Sequence, residues 1–245
     1  MSKVKTLIFD IETSPIIAAT WSLYPDSISH DAIIQDWYVI CACWKWVGDK
    51  KVYSSKTYTT DDSQVIKDIK FAIEAADEVV AHNGKKFDLK KLNARALLND
   101  IPPITPPVVV DTLVQARKHF ALTSNRLDAV CKALKIPAKT GTNMKLWMDV
   151  LDGKKKAVDD MTKYCKNDVV ILENVYHVLK PYMDTGFNRA LHSDGTTCPK
   201  CGSHDMYGNG TRVTQTAVYQ RYVCRQCGGS SRGPERLNES TKVLR

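Results

Sequence analysis

An α/β fold, a mixed β-sheet flanked by helices and followed by a small cysteine-bearing module, is what this 245-residue sequence predicts. Two observations carry the expectation. Up to about Met183 the apolar patterning runs strand, hairpin, helix, strand, helix, strand, helices, an order that builds a mixed sheet covered by helices. From about Leu191 the composition turns to Gly, Thr, Ser and Arg, with four of the eight cysteines and few large aliphatics. The expected layout is a first domain over 1–187, a boundary near 185–195, a module over 193–233 and a disordered tail over 234–245.

The elements follow in order. "VKTLIFDIET" (4–13) is short and apolar almost to its end, as a buried strand is. "YVICACWKWVG" and "KVYSSKTYT" are β-rich runs joined by Gly-Asp-Lys, which predicts a hairpin. In "DDSQVIKDIKFAIEAAD" (61–77) apolar residues recur at three- and four-residue spacing behind a capping Asp or Ser, so a helix is expected. "EVVAHNG" reads as a short strand ending in a glycine turn, and "FDLKKLNARALLND" as the next helix. Four prolines in "IPPITPPVVVDTL" break that helix before a last short strand. Helical patterning then continues, interrupted at "KIPAKTGT" and "DGKKK". No repeat or low-complexity tract is present.

Composition narrows the classes. No apolar run approaches the ~18 residues of a membrane span. "MSKVKTLIFDIE" lacks the long apolar stretch of a secretory signal, so a cytoplasmic protein without membrane partners is expected. The formal charge is +8, with eight Lys/Arg against four Asp/Glu from Ser193 onward. Such a balance suits a polyanionic partner, because phosphate contacts release counterions; it equally suits simple solubility.

Three groups of polar residues stand out. Asp10 and Glu12, two apart on a strand, share one face at the strand's carboxyl end. Two acids so close repel, and a divalent cation between them resolves the repulsion; a solvated strand terminus is the plainer alternative. Asp88 follows a glycine turn at a helix start, where capping alone would explain it. Tyr164 and Asp168 lie one helical turn apart, where a tyrosine in the core hydrogen-bonded to an acid would also serve.

Taken together, "DIE" (Asp10, Glu12), "NGKKFD" (Asn83 to Asp88) and "YCKND" (Tyr164 to Asp168) resemble the three motifs of the DEDD, or DnaQ-like, 3′–5′ exonucleases: D-x-E, N-x₂₋₃-[FY]-D and Y-x₃-D. The resemblance spans roughly residues 4–183 and implies a ribonuclease H-like fold, which the strand order fits independently. Position 163, where the histidine branch would have its base, is Lys163, so Tyr164 points to the tyrosine (DEDDy) branch. By resemblance Asp10, Glu12, Asp88 and Asp168 hold two Mg²⁺ or Mn²⁺ ions. Tyr164 then orients the attacking water, since an unperturbed phenol (pKa about 10) is a poor base at neutral pH.

Around these, Thr13 is placed to touch a terminal nucleotide, and Asn83 to contact the substrate strand or support its turn. Phe87 is expected in the core, and Asp111 in a loop or supporting role. Lys85, Lys86, Lys90 and Lys91 form either a solvated face or a backbone contact. Trp44 and Trp46 read as packing residues, whereas Trp21 and Tyr24 are candidates to stack on unpaired bases.

Cys198, Cys201, Cys224 and Cys227 form C-x₂-C, twenty-two residues, C-x₂-C, each pair followed by glycine. That is the ligand set of one structural Zn²⁺, and a segment so short needs the metal to fold. It resembles the zinc ribbons attached to transposases and transcription-related proteins, which typically contact nucleic acid. Arg221 and Arg225, with Arg212, Arg232, Tyr219 and Tyr222, would supply the contact; protein docking is the alternative. Cys41, Cys43, Cys131 and Cys165 sit in apolar patterns and read as buried thiols.

The expected function is a metal-dependent 3′–5′ exonuclease on single-stranded DNA, compatible with a phage or mobile-element origin. Replication or recombination proteins are candidate partners. An exoribonuclease, or a non-catalytic zinc-ribbon adaptor, are the alternatives.

Overall fold

The computed structural model describes residues 4–137, 141, 143–184, 186–193 and 195–238. The end of the expected tail, from 239, and part of the expected interruption at 135–142 lie outside them. The chain divides into two compact units, one of Lys5–Tyr176 and one beginning at His177.

The strands of the first unit are β1 (Thr6–Thr13), the short β2 (Ile17–Ala18) and β3 (Ile33–Gln35), β4 (Val39–Trp46), β5 (Tyr53–Lys56), β6 (Glu78–Ala81) and β7 (Val108–Asp111). Its helices are α1 (Ser63–Glu74), α2 (Asp88–Leu98), α3 (Thr112–His119), α4 (Leu127–Ala133), α5 (Met144–Leu151) and α6 (Lys155–Leu179), which runs into the second unit. Five strands form the main sheet in the order β5-β4-β1-β6-β7. β4 is antiparallel to β1 and β5, whereas β6 is parallel to β1 and β7, so the sheet is mixed, as expected. β2 pairs with β3 apart from this sheet; at two and three residues they show no readable period.

β1 is central and its alternation decides what lies on each side. Leu7, Phe9 and Ile11 turn into a core with Val65, Ile66, Ile69 and Ile73 of α1 and Leu89 and Leu92 of α2. The spacing of the α1 residues is the three- and four-residue period read from the sequence. Each such burial stabilises by ~2 kcal/mol. The opposite face meets α6, which buries Val158, Met161, Cys165, Val169, Leu172 and Val175. There the Cys43 thiol donates to the Thr162 carbonyl, and Lys45 pairs with Glu173, whose other oxygen accepts from the Gly48 N–H. Asp168 lies on this apolar stripe and is only 4% exposed.

The helix start at 61–63 departs from expectation. The Asp62 side chain does not cap α1; Asp61 Oδ1 accepts from the Ser63 N–H instead. Asp62 is fully buried and receives Arg95 through two guanidinium nitrogens at 2.7 and 2.9 Å, Asn99 Nδ2 at 2.8 Å and the Val39 N–H at 2.8 Å. This carboxylate thereby ties β4, α1 and α2 together. Removing one partner of a buried pair leaves an uncompensated charge, so Arg95→Met is expected to lower unfolding free energy by about 3 kcal/mol in urea titration. A loss below about 1 kcal/mol would show that Asn99 and the Val39 amide suffice.

In the second unit, a three-stranded antiparallel sheet is formed by β8 (Met206–Val213), β9 (Val218–Cys224) and β10 (Ser230–Arg236), in the order β10-β9-β8. The Arg189 N–H donates to the Pro199 carbonyl at 3.0 Å and Lys200 Nζ to the Pro181 carbonyl at 2.7 Å. Both bonds lie within the unit that begins at His177 and tie residues 181–189 to the cysteine module. β10 reaches Arg236 and Asn238 Oδ1 accepts from the Val218 N–H, so the start of the expected tail is paired strand.

Candidate active site and cysteine cluster

The carboxyl end of β1 supplies the first two acids. Asp10 lies opposite Cys43 and Glu12 opposite Cys41 on β4, and the register slips between Glu12 and Thr13. Both acids are on the α6 side, half-buried, and Asp168 reaches them from α6. One carboxylate oxygen from each of Asp10, Glu12 and Asp168 lies within 4.8 Å of the others. Three carboxylates at that distance repel in water-poor surroundings, and hard oxygen donors in such a set fit Mg²⁺ or Mn²⁺. Tyr164, one turn before Asp168, is half-buried.

Asp88 stands outside that 4.8 Å set but beside it. It opens α2 without capping it, so the capping reading is corrected. Burial pushes its carboxyl up to about 7; the Ile11 N–H, between the two β1 acids, partly offsets the rise, and the nearby charge of Asp111 adds to it. The turn leading to it is built closely. Asn83 adopts a left-handed φ of 69°, and a Cβ on Gly84 would lie 2.4 Å from that of Ala81 and 3.8 Å from Asp88 Oδ2, so only glycine fits. Asp111, buried at the end of β7, accepts the Asn83 and Lys85 N–H groups at 3.0 and 3.1 Å while capping α3 through the Leu113 and Val114 N–H groups. Asp111 therefore holds the loop that presents Asp88. Its weight was not legible in "VVVDTL", because its partners lie 26 and 28 residues earlier.

Several neighbours differ from expectation. Phe87 is 40% exposed rather than in the core, since the turn swings it outward as Asp88 goes in. Lys85, Lys86 and Lys90 are exposed, whereas Lys91 Nζ packs 3.4 Å from the Trp37 ring centroid. Trp44 and Trp46 pack on the core, while Trp21 and Tyr24 lie almost fully exposed. Thr13 lines an open cleft of about 430 Å³ with Ser14, Pro15, Asn143, Met144 and Trp147. Trp147 Nε1 donates to the Thr13 carbonyl at 3.2 Å. Trp147 went unnoticed in the sequence because it sits at ordinary helical spacing within "MKLWMDVL".

In the second unit the four cysteine sulfurs Cys198, Cys201, Cys224 and Cys227 lie within 4.8 Å of one another, with Cys198–Cys227 at 3.7 Å and Cys201–Cys224 at 3.6 Å. Zn–S bonds of about 2.3 Å in a tetrahedron place sulfurs about 3.8 Å apart, so the donor set fits Zn²⁺. Gly202 and Gly228, each following the second cysteine of its pair, have φ of 83° and 70°, the left-handed turn each knuckle needs. Arg221 Nε donates to the Asn209 carbonyl at 2.6 Å, and the Arg225 guanidinium stacks 4.4 Å from the Tyr207 centroid near Asp205. Both expected contact arginines thus have partners within the hairpin.

Comparison with known proteins supplies the family. A profile of the RNase H superfamily matches residues 33–180, more than half of the chain. The chain belongs to the RNase H superfamily. Among curated relatives, a PolC-type DNA polymerase III of Ureaplasma parvum serovar 3 is 27% identical over 193 residues, covering 71% of this chain and 11% of that polymerase. Among solved structures, the family B DNA polymerase of the archaeon Pyrobaculum calidifontis superposes with a TM-score of 0.56 at 16% identity, covering 74% of this chain and 26% of that one. This RNase H superfamily chain thus spans a minor part of either polymerase; the second likeness speaks for the fold alone. No helix among the described residues is long and apolar enough to cross a membrane.

Proposed function

We propose that this RNase H superfamily chain is a metal-dependent exonuclease that removes nucleotides from the 3′ end of single-stranded DNA. The observation that carries the reading is the meeting of Asp10, Glu12 and Asp168 within 4.8 Å, with Asp88 against the Ile11 N–H and Tyr164 one turn away. A DNA polymerase among the curated relatives favours DNA over RNA. Asp10, Glu12, Asp88 and Asp168 would hold two Mg²⁺ or Mn²⁺ ions, which when bound acidify a water and stabilise the leaving 3′ oxygen. Tyr164 orients the attacking water through its hydroxyl, as its place in the DEDDy pattern implies. Thr13 and the cleft beside Trp147 receive the terminal nucleotide, whose base stacks on the indole. Asn83 supports the turn through its left-handed backbone. Cys198, Cys201, Cys224 and Cys227 hold one Zn²⁺, and the ribbon, over 193–233, binds the same nucleic acid through Arg221 and Arg225.

The test is the full chain with Mg²⁺ or Mn²⁺ on 5′-labelled single-stranded DNA, duplex DNA and RNA. A ladder shortening from the 3′ end of single-stranded DNA is expected. Preference for RNA would establish the exoribonuclease alternative, and no cleavage with either ion would leave a nucleic-acid-binding adaptor.

Asp88 adds a pH dependence. With its carboxyl near 7, the proton must leave before its oxygens can bind a cation. Mn²⁺ affinity is therefore expected to rise severalfold between about pH 6 and 8 in calorimetric titration, and Asp88→Asn should flatten the rise. An affinity independent of pH across that window would remove Asp88 from the ligand set.

A further inference from the structure

Beside the carboxylates, on the same α6 side of the sheet, lies a second cluster that the nuclease reading does not use. Cys41 and Cys43, two apart on β4, share a face, and Cys165 of α6 packs onto it. All three are fully buried, and their sulfurs lie within 4.8 Å of one another. Cys165 Sγ is 3.5 Å from Asp10 Oδ2 and 3.4 Å from the Asp10 carbonyl oxygen. We propose that Cys41, Cys43 and Cys165, with Asp10 as fourth ligand, form a site for a thiophilic divalent cation such as Zn²⁺ or Cd²⁺, beside the carboxylate site on the same face of the sheet and in competition with it for Asp10.

The donor set selects the ion. Three sulfurs and one carboxylate oxygen suit soft or borderline d¹⁰ cations and reject Mg²⁺ and Mn²⁺, which the oxygen-only side prefers. The sulfurs stand within about 1 Å of the ~3.8 Å separation a tetrahedral thiolate site requires, so a small side-chain adjustment closes it. The half-buried Asp10, in contact with Cys165, links the buried sulfurs to the partly exposed carboxylates. Asp10 thereby faces two ways: its oxygens serve the hydrolytic ions, or one of them turns to the sulfur-bound ion. Occupation of the sulfur site would draw away one ligand of the hydrolytic site, making the protein sensitive to thiophilic metals. The inference stands whether or not the chain cuts nucleic acid, because its readout is metal binding.

The experiment uses the full chain and Cd²⁺ as probe, with bound metal counted after passage over a weak chelator. Wild type is expected to retain two Cd²⁺ per chain, one at the four-cysteine cluster and one here. Cys43→Ala and Cys165→Ala are each expected to retain one. Wild-type ¹¹³Cd NMR needs no variant and is expected to show a four-sulfur resonance and a second, shifted by mixed sulfur–oxygen ligation. A lone four-sulfur resonance, or folded variants that keep two Cd²⁺, would overturn the proposal.

Discussion

Asp168→Asn is expected to slow 3′-end cleavage by about 10³-fold or more while leaving the protein folded. The substitution keeps shape and removes one negative charge from a set of carboxylates held within 4.8 Å. Cations at such a centre supply several kcal/mol of transition-state stabilisation, and each 1.36 kcal/mol is tenfold in rate. Asp168 is buried on the apolar stripe of α6, so the neutral amide is not expected to destabilise the metal-free protein. The wild type, by contrast, should gain thermal stability on adding Mn²⁺, and the variant should gain much less. Single-turnover decay of 5′-labelled DNA and a thermal-shift series with and without Mn²⁺ measure the two effects. A variant within tenfold of wild type would place the hydrolytic centre elsewhere.

With Zn²⁺ proposed at the four-cysteine cluster, depriving the chain of zinc is expected to unfold the three-stranded sheet while sparing the first unit. Beyond residue 195 the buried apolar side chains among the described residues are Cys198, Ala217 and Cys224, two of them cysteines of the cluster. No hydrophobic core of that size holds a sheet together. Structural zinc contributes on the order of 10–16 kcal/mol in finger peptides at neutral pH, far more than this unit can supply otherwise. Chelation, or Cys198→Ser with Cys201→Ser, should abolish hydrogen-exchange protection across 206–236 and leave β1, β4 and β6 protected. A sheet that keeps its protection with less than a tenth of an equivalent of zinc would refute metal-dependent folding.

Period and spacing made some of this legible and topology hid the rest. Asp10 and Glu12 declared a shared face through the two-residue alternation of a strand, and Tyr164 and Asp168 through the four-residue turn of a helix. Both are local rules. The C-x₂-C pairs are equally local, each closing on its own knuckle. For Asp88 the local pattern allowed a plain helix cap, and only the motif resemblance pointed to a site, because its burial depends on a turn pinned by Asp111 from another strand. Phe87 looked like core because an aromatic beside a buried acid shares its segment but not its direction. Trp147 looked ordinary because only the meeting of α5 with the end of β1 gives it a cleft. Likewise Cys41, Cys43 and Cys165 each read as separate buried thiols. Their convergence follows from the register of β4 against β1 and from which face of α6 turns inward, which single-segment patterns do not encode.

The central place of β1 also bears on how the protein assembles. Asp10, Asp88 and Asp168 are spaced about eighty residues apart along the chain, one near the start, one in the middle and one near the end of the first unit. Contacts of such long sequence separation each carry the entropy cost of closing the loop between. Asp10 and Glu12 share one strand, but Asp168 can join them only once α6 has been made and packed on the sheet. A growing chain therefore carries no assembled carboxylate centre until Asp168, more than two thirds of the way along it, has been made and packed.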